Sequence, residues 1–375
     1  MTYPERVPDQ PDDQLADDQP AAEPAPRRRL RDRWVLLTVL VLVTSLVGGV
    51  GIGVAVLAGR LSSNVERIVD PFADLTDRPT VPAASPAPGQ TAAPSTAAAM
   101  NILVLGSDSR ISAGDPTQWV AGAQRTDAIL LVHLPADGSA AYAMSIPRDA
   151  WVDIPGHGEA KINAAYSLGG PTLLIQTFEQ LTQVRIDHFA IADFESFAAI
   201  TDAIGGVRIT LADDLYDRRG HLMVTAGEQV LTGEQALVWA RERKNLVRGD
   251  FDRVQRHQAW MRAIARRVTA NGTLRNPVTA VAFLDAVTRS VAVDDGFTPD
   301  VISGLVTQAR DLGNDDLSFF TVPISGVGTS DDGQSIVLLD RARFDELMAS
   351  VAADTVGAYL LAHPDDVDRL PAVVP

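Results

Sequence analysis

The chain contains no cysteine among its 375 residues. Disulfide bonds, cysteine-ligated zinc sites and thiolate nucleophiles are therefore excluded as sources of its stability or its chemistry. Basic residues are also few, because 32 lysines and arginines stand against 48 acidic residues and the net charge is −16. A general nucleic-acid binder normally presents a basic surface, so the composition indicates no nucleic-acid partner.

The first 99 residues change composition twice. Residues 1–33 are acidic and proline-rich and end in an arginine cluster, which predicts a disordered cytoplasmic tail. Residues 34–58 carry no charge, and as a helix rising about 1.5 Å per residue they exceed the roughly 30 Å hydrocarbon core of a bilayer. We therefore expect one uncleaved transmembrane helix. A cleaved signal peptide is the alternative, but it fits the length of the run poorly.

The arginines before this run place the N-terminus in the cytoplasm by the positive-inside rule. The sequence thus predicts a single-pass protein of the cell membrane, anchored in the lipid bilayer, with everything after residue 58 outside the cytoplasm. Residues 59–99 read as a short juxtamembrane helix followed by a stalk rich in proline and alanine.

From residue 100 to residue 352, short apolar runs alternate with helical patterns. Asn101–Leu105, Ala128–Leu134 and Ala140–Ile146 read as strands, and the Asp137-Gly138 turn predicts that the second and third form a hairpin. Thr232, Asp250 and Thr298 read as helix N-caps. The pattern predicts a single three-layer α/β/α domain with a mixed central sheet. Residues 353–375 are assigned as a C-terminal tail.

Arginine and aspartate recur where these apolar runs end. Arginine suits phosphate because its planar fork donates two parallel hydrogen bonds and never loses its proton. Several arginines beside a few aspartates indicate a site for a phosphate-rich anion and a divalent cation. The five blocks are Gly106–Arg110, Gln124–Asp127, Ile146–Asp149, Arg241–Arg243 and Gly249–His257.

Two of the blocks supply the candidate metal ligands. Asp108 and Arg110 follow the first strand, at the end where open α/β sheets bind ligands, although an ordinary turn is the alternative. Asp127 stands immediately before the second strand and can share one hard cation with Asp108. The alternative for Asp127 is a local ion pair with Arg125.

The other blocks supply further candidate anion-binding residues. Pro147 stops the third strand and directs Arg148 beyond the sheet, with Asp149 expected to orient it. Two interpretations of Lys161 are open: it binds a phosphate, or it is a surface residue without a role at the site. Arg241 and Arg243 lie at a helix end, where they bind the anion or only complement the helix dipole.

The long helix after Asp250 carries many basic residues. Arg253 and His257 are four residues apart and therefore share one helix face. Arg253 is expected at the site, whereas Arg262, Arg266 and Arg267 are expected to form a solvated basic face.

Taken in order, these blocks resemble the LytR–CpsA–Psr (LCP) family of bacterial envelope proteins. The motifs of the resemblance cover residues 100–347. The predicted short cytoplasmic tail, single span and stalk before them are also similar to this family. It rests on Asn101–Arg110, Arg125–Asp127, Ser145–Asp149, Lys161–Tyr166, Asp187–Phe189, Asp202–Val207, Leu231–Leu237, Arg241–Arg243 and Gly249–Arg256.

The resemblance implies a phosphotransferase at the outer face of the membrane. Such an enzyme moves a glycopolymer from a polyprenyl-pyrophosphate carrier onto peptidoglycan, with Mg²⁺ or Mn²⁺ as cofactor. By this resemblance, Asp108 and Asp127 match the metal-site aspartates. The predicted catalytic residues are Asp108, Asp127 and Arg125, and either aspartate is a candidate for the general base. The predicted pyrophosphate-binding residues are Arg110, Arg125, Arg148, Arg241, Arg243, Arg253 and His257.

One position departs from the family pattern. His257 stands where the family usually has the first glutamine of Arg-x-x-Arg-Gln-Gln, and histidine can become charged near neutral pH. Two other functions use the same residues. One is a polyprenyl-pyrophosphate hydrolase, in which water replaces the acceptor sugar, and the other is a non-catalytic envelope regulator that binds lipid phosphate.

Overall fold

The computed structural model describes residues 64–80, 98–107, 126–217, 219–242, 246–270, 276–313 and 315–374. The chain divides after Leu57 into two units, and every described residue belongs to the second. The predicted cytoplasmic tail and transmembrane helix, like most of the predicted stalk, lie outside the described residues. Within those residues, no helix combines the length and apolarity needed to cross a membrane.

The described part of the chain contains sixteen strands and eight helices. The strands are β1 (Glu66–Ile68), β2 (Met100–Ser107), β3 (Thr126–Leu134), β4 (Ala141–Ile146), β5 (Trp151–Ile154), β6 (Gly158–Lys161), β7 (His188–Asp193), β8 (Val207–Leu211), β9 (Leu215–Tyr216), β10 (Leu222–Val224), β11 (Gly227–Leu231), β12 (Val291–Asp294), β13 (Leu317–Thr321), β14 (Ile324–Thr329), β15 (Ser335–Leu339) and β16 (Asp368–Arg369). The helices are α1 (Ile162–Thr182), α2 (Phe194–Ala203), α3 (Gly233–Arg241), α4 (Asp250–Ala270), α5 (Pro277–Thr288), α6 (Pro299–Asp311), α7 (Arg341–Ala352) and α8 (Val356–Ala362).

A mixed sheet of eight strands forms the middle layer, in the order β1-β12-β7-β2-β3-β4-β13-β16. Strands β2 and β7, and β4 and β13, pair in parallel, while β2, β3 and β4 are antiparallel neighbours. The predicted hairpin is confirmed as β3–β4, and Gly138 adopts a φ of 68° in its turn, a conformation that favours glycine.

Helices cover both faces of this sheet, as predicted. On one face, side chains of α1, α7 and α8 form a core with Leu103, Leu105 and Met144 of the central strands. On the other face, α2, α3 and α4 form a second core around the fully buried Trp260, with α5 and α6 packed at its side. Burial of apolar surface on both faces explains why the central strands read as nearly continuous apolar runs.

Residues 65–75, which the structure describes, do not form the predicted juxtamembrane helix. Residues 66–68 form an edge strand instead, paired in parallel with β12. Val65 and Ile68 are buried there, and Arg67 donates from Nη1 to the carbonyl oxygens of Asp294 and Phe297 at 3.1 and 2.9 Å. The prediction failed because the sheet partner lies more than 200 residues away, beyond any local pattern.

The C-terminal residues are not a separate tail either. Strand β16 pairs with β13 and closes the far edge of the sheet. Val367, Leu370 and Val374 are buried. The domain therefore continues to at least residue 374, past the predicted boundary at 352.

Candidate functional site

The ends of several strands meet at one edge of the sheet. Ser107 at the end of β2 pairs with Thr126 at the start of β3, and Ile146 at the end of β4 pairs with Ile129 of β3. The segments that follow β2 and β4 in sequence carry the predicted charged blocks. This edge is therefore where the sequence predicts the site.

Asp127 occupies a special backbone position at this edge. Gly106 pairs with Ala128, but the next residue, Ser107, pairs with Thr126. Asp127 is thus the extra residue of a β-bulge, a feature that is common next to active sites. Its side chain lies outside the described residues, and so do Asp108, Arg110, Arg125 and Arg243, so their predicted roles stay predictions.

The turn after β4 presents Arg148. The amide of Ala150 donates to the carbonyl of Pro147 at 2.9 Å, and the carbonyl of Asp149 accepts from Val337 at 2.9 Å. These bonds hold the turn on both sides. The side chain of Arg148 is 24 % exposed, so it is partly shielded but can still be reached from solvent.

One carboxylate joins this turn to the first turn of α4. Oδ2 of Asp250 lies 3.3 Å from Nε of Arg148, and Oδ1 of Asp250 pairs with Nη2 of Arg253. Arg253 is buried, with 7 % of its surface exposed. Two guanidinium groups from distant parts of the sequence therefore contact the same carboxylate at the N-terminal end of a helix.

Asp149 plays a different part from the expected one. Its Oδ1 lies 3.1 Å from Nζ of Lys161, whereas its Oδ2 is 3.8 Å from Nε of Arg148. Asp149 thus pairs more closely with Lys161, and Asp250 is the nearer partner of Arg148. The sequence placed Asp250 three residues before Arg253, but Asp250 was interpreted only as a helix N-cap.

The next turns of α4 are anchored to the sheet. His257 is buried one turn after Arg253. The neighbouring Gln258 is fully buried and donates from Nε2 to Oγ of Ser145 on β4 at 2.7 Å. This bond fixes the height of α4 over β4, the strand that precedes the Arg148 turn.

Arg256 ties α4 to the end of α3. Its Nη1 donates to the carbonyl oxygens of Trp239 and Glu242, each at 3.0 Å, and its guanidinium lies over the Trp239 ring at 5.7 Å. Burial lowers the pKa of this guanidinium. Arg256 therefore positions the helix end that carries Arg241, a role that no local sequence pattern indicates.

Helix α3 itself is fixed by its first turn. Thr232 forms the predicted N-cap, and with Gln235 it completes a capping box. A Cβ on Gly233 would overlap the backbone carbonyl of Ala198 on α2, so glycine permits the close contact between these helices. These features explain why the Leu231–Leu237 block has its particular sequence.

The basic face expected at the far end of α4 is only partly solvated. Arg266 is exposed, as predicted. Arg262 donates to the carbonyl oxygens of Leu370 and Pro371 at 3.2 and 2.8 Å, and burial, followed by the charge of Arg266, lowers its pKa to about 10. Arg267 donates to the carbonyl of Ile204 at 3.1 Å. The prediction is wrong for Arg262 and Arg267 because both satisfy backbone oxygens.

An apolar groove runs beside this same part of α4. It has a volume of about 350 Å³ and is lined by side chains of α2, α4, α5 and α6. The end of β3 and the starts of β4 and β13, which lie away from the candidate site, complete the lining. Its lining on α4 begins at Met261, one turn beyond His257, and ends at Thr269. The helix thus has a charged end at the site and an apolar side at the groove.

The chain thus forms an α/β domain in which one helix, α4, contributes both to a charged sheet edge and to an apolar groove. The family model of the LytR_cpsA_psr family matches residues 77–352 of the chain. The chain therefore belongs to this family, as its motifs predicted.

Similar proteins come from several bacteria. The chain is 34 % identical to the cell wall biosynthesis protein LcpA of Corynebacterium glutamicum, a match that covers 64 % of this chain and 53 % of that protein. It is 35 % identical to the probable cell wall biosynthesis protein LcpB of the same organism, with coverages of 68 % and 61 %. The matches thus span only about half to three fifths of these two relatives.

Solved structures show the same fold. TagV of B. subtilis has a TM-score of 0.56 at 22 % identity, covering 69 % of this chain and 97 % of that one. A structure of TagT bound to LI-WTA has a TM-score of 0.55 at 24 % identity, with coverages of 70 % and 92 %.

Proposed function

We propose that this protein is a phosphotransferase that moves a glycopolymer from a polyprenyl-pyrophosphate carrier onto peptidoglycan. The observation that carries the proposal is the contact of two guanidinium groups, from Arg148 and Arg253, with the single carboxylate of Asp250. Arginines gathered in this way can grip the oxygens of a pyrophosphate by paired, charge-assisted hydrogen bonds. Family membership and the names of the two cell wall biosynthesis relatives support the same reaction class.

The apolar groove supports a lipid-linked donor. Arg253 and Ala265 are twelve residues apart on α4, a distance of about 18 Å along the helix axis. A pyrophosphate held by Arg253 would therefore place an attached isoprenoid chain within reach of the groove. Burial of such a chain contributes roughly 0.8 kcal/mol for each CH₂ group removed from water.

The residues at the sheet edge suit a divalent cation. Asp127 is the bulge residue opposite the end of β2, and Asp108 directly follows β2 in sequence. Carboxylate oxygens are the ligands that Mg²⁺ prefers, so these two aspartates would hold it. The bound cation would neutralise part of the charge on the phosphate oxygens.

The reaction needs little covalent chemistry from the protein. An acceptor hydroxyl attacks the phosphorus in line with the leaving polyprenyl phosphate, so the new P–O bond forms as the old one breaks. Arg148 and Arg253 stabilise the charge that builds on the phosphate oxygens. Asp127 or Asp108 is the candidate base for the proton of the hydroxyl.

The uncharged run at residues 34–58 supports a proposal for the location of the protein. We propose that this run anchors the chain in the cell membrane, with the domain on the outer face. A reporter fused after Pro375 should then be active only outside the cytoplasm, and reporter activity inside would contradict this topology.

A transfer assay separates the candidate reactions. The full-length chain in detergent is incubated with Mg²⁺, a polyprenyl-pyrophosphate-linked glycopolymer and peptidoglycan fragments. The proposal expects a phosphodiester-linked conjugate of polymer and peptidoglycan. Free polymer phosphate without conjugate would instead indicate the hydrolase, and lipid binding without turnover would indicate the regulator.

A further inference from the structure

The last part of the chain crosses over α4 from the edge of the sheet. Residues 364–374, here called the C-terminal strap, lie beyond residue 352, where the family match ends. Within the strap, β16 pairs with β13, the amide of Leu370 donates to the carbonyl of Phe319 at 3.0 Å, and Val374 forms a bridge with Leu211. The strap is thus fixed to two separate sheets.

The strap contacts α4 first at its N-terminal end. Asp368 accepts hydrogen bonds from Nη1 of Arg248 at 3.1 Å and from Nε2 of Gln255 at 3.2 Å. Arg248 donates in turn from its amide and its Nε to the carboxylate of Asp252, both at 2.9 Å. Asp252 is 1 % exposed, so the network reaches the buried side of the first turn of the helix.

A second contact lies further along the helix. Arg262 donates to the carbonyl oxygens of Leu370 and Pro371, both of them in the strap. With 3.6 residues per turn, Gln255 and Arg262 fall on one side of α4, whereas Arg253 and His257 fall on the opposite side. The strap therefore holds the helix from behind the residues that face the candidate site.

From this arrangement we infer that the C-terminal strap positions α4, and with it Arg253 in the first turn, for phosphate binding, with Asp368 and Arg262 as positioning residues. The inference rests on the proposed pyrophosphate site. Neither residue would touch the phosphate, and both would act by fixing where Arg253 and Asp250 stand. Small displacements of such groups weaken binding strongly, because several contacts must be made at once.

Two charge-matched double variants of the full-length chain test the inference. The strap variant combines Asp368→Asn with Arg262→Met. The control combines Asp365→Asn, also in the strap, with Arg266→Met on α4, and both positions are exposed. Each removes one carboxylate and one guanidinium. Asp368 and Arg248 are 41 % and 45 % exposed, and exposed ion pairs contribute little to global stability, so local measurements are needed.

The first measurement is the affinity for geranylgeranyl pyrophosphate by calorimetry. We expect the strap variant to bind about tenfold more weakly than the wild type, since misplacement of a binding group by about 1 Å can cost that much or more. The control should change affinity by less than about twofold, because its charges are exposed. Equal affinity in the strap variant and the control would overturn the inference.

The second measurement is hydrogen exchange, which needs no ligand. Amides of residues 248–258 should exchange faster in the strap variant, with β2 and β3 unchanged. Faster exchange spread evenly over the central strands would show a general loss of stability and overturn the positioning role. If the wild type does not bind the probe, the proposed function fails, and the exchange pattern still decides whether the strap fixes α4.

Discussion

The two ends of α4 use the same side chain in different ways. At the N-terminal end, Arg253 pairs with the carboxylate of Asp250, which also contacts Arg148. At the C-terminal end, Arg262 and Arg267 donate to backbone carbonyl oxygens. A phosphate can replace a carboxylate partner that retains access to water. An arginine bound to backbone carbonyls cannot be redirected without removing the donor from those acceptors.

This contrast gives a physical criterion for a ligand-binding arginine. Arg256 tests the criterion, because it lies between Arg253 and the far end and yet binds the carbonyls of Trp239 and Glu242. Arg256 lies near the candidate site, but because its partners are backbone carbonyls we class it with Arg262 and Arg267 as an arginine that stabilises the fold.

The largest effect is expected when Arg256 is replaced. Arg256→Met removes a donor from two carbonyl oxygens. The carbonyl of Trp239 keeps the amide of Glu242 at 3.3 Å, so its loss is about 1 kcal/mol, and the loss at the carbonyl of Glu242 is about 1–3 kcal/mol. Urea unfolding should show a loss of about 2–4 kcal/mol for the variant. Arg266→Met is the control and should lie within about 0.5 kcal/mol of wild type. A loss at Arg256 no larger than in this control would remove the distinction between the two kinds of arginine.

Replacing Arg253 should affect binding rather than folding. Lysine keeps the charge but loses the planar fork, so Arg253→Lys should weaken geranylgeranyl pyrophosphate binding by about 1–3 kcal/mol. Arg266→Lys should change affinity by less than about 0.5 kcal/mol, since Arg266 is exposed. Calorimetry at fixed ionic strength measures both variants. Similar losses at the two positions would mean that α4 offers only general positive charge.

The groove beside α4 gives the third prediction. In Ala265→Trp, the larger side chain fills part of the groove. An isoprenoid chain that lost one or two CH₂ contacts there would bind about 1–2 kcal/mol more weakly. The loss should be larger for geranylgeranyl pyrophosphate than for geranyl pyrophosphate and absent for inorganic pyrophosphate. An equal loss for all three probes would place the chain outside the groove.

The smallest expected effect concerns pH and lies on the other face of the sheet. His133 is fully buried, and burial lowers its pKa below the ordinary value of 6.5, although the facing carboxylates of Asp354 and Asp187 oppose this shift. Its ring nitrogens lie 2.8 Å from Oδ1 of Asn101 and 3.0 Å from Oδ1 of Asp354.

The sign of the pH effect follows from proton binding. Because its pKa is lower in the fold, His133 binds fewer protons when folded than when unfolded, so its contribution to stability is lost as pH falls below about 6.5. The unfolding free energy of the wild type should therefore fall between pH 7.5 and pH 5.0. His133→Gln should fall less steeply over this range. Parallel slopes would show that other groups cause the change.

Local signals predicted the parts of the fold that depend on local physics. Thr232 and Thr298 form the expected N-caps, and the Asp137-Gly138 turn closes the expected hairpin. The three-residue β1 and two-residue β16 were missed, because strands that short carry no periodicity and their partners are remote in sequence.

The candidate site shows the same limit. Spacing on a helix placed Arg253 and His257 together, and the proline after β4 located Arg148. The shared partner of the two arginines, Asp250, was missed because nothing in the sequence states which carboxylate a distant arginine meets. The carbonyl partners of Arg262 and Arg267 are set by tertiary packing and were invisible for the same reason.

The most direct test of the central claim is a crystallographic map of the full-length protein with geranylgeranyl pyrophosphate. We expect pyrophosphate density within hydrogen-bond distance of Arg148 and Arg253, and hydrocarbon density beside Met261 and Ala265 in the groove. Pyrophosphate density bound to other residues, with Asp250 still pairing both arginines, would contradict this claim.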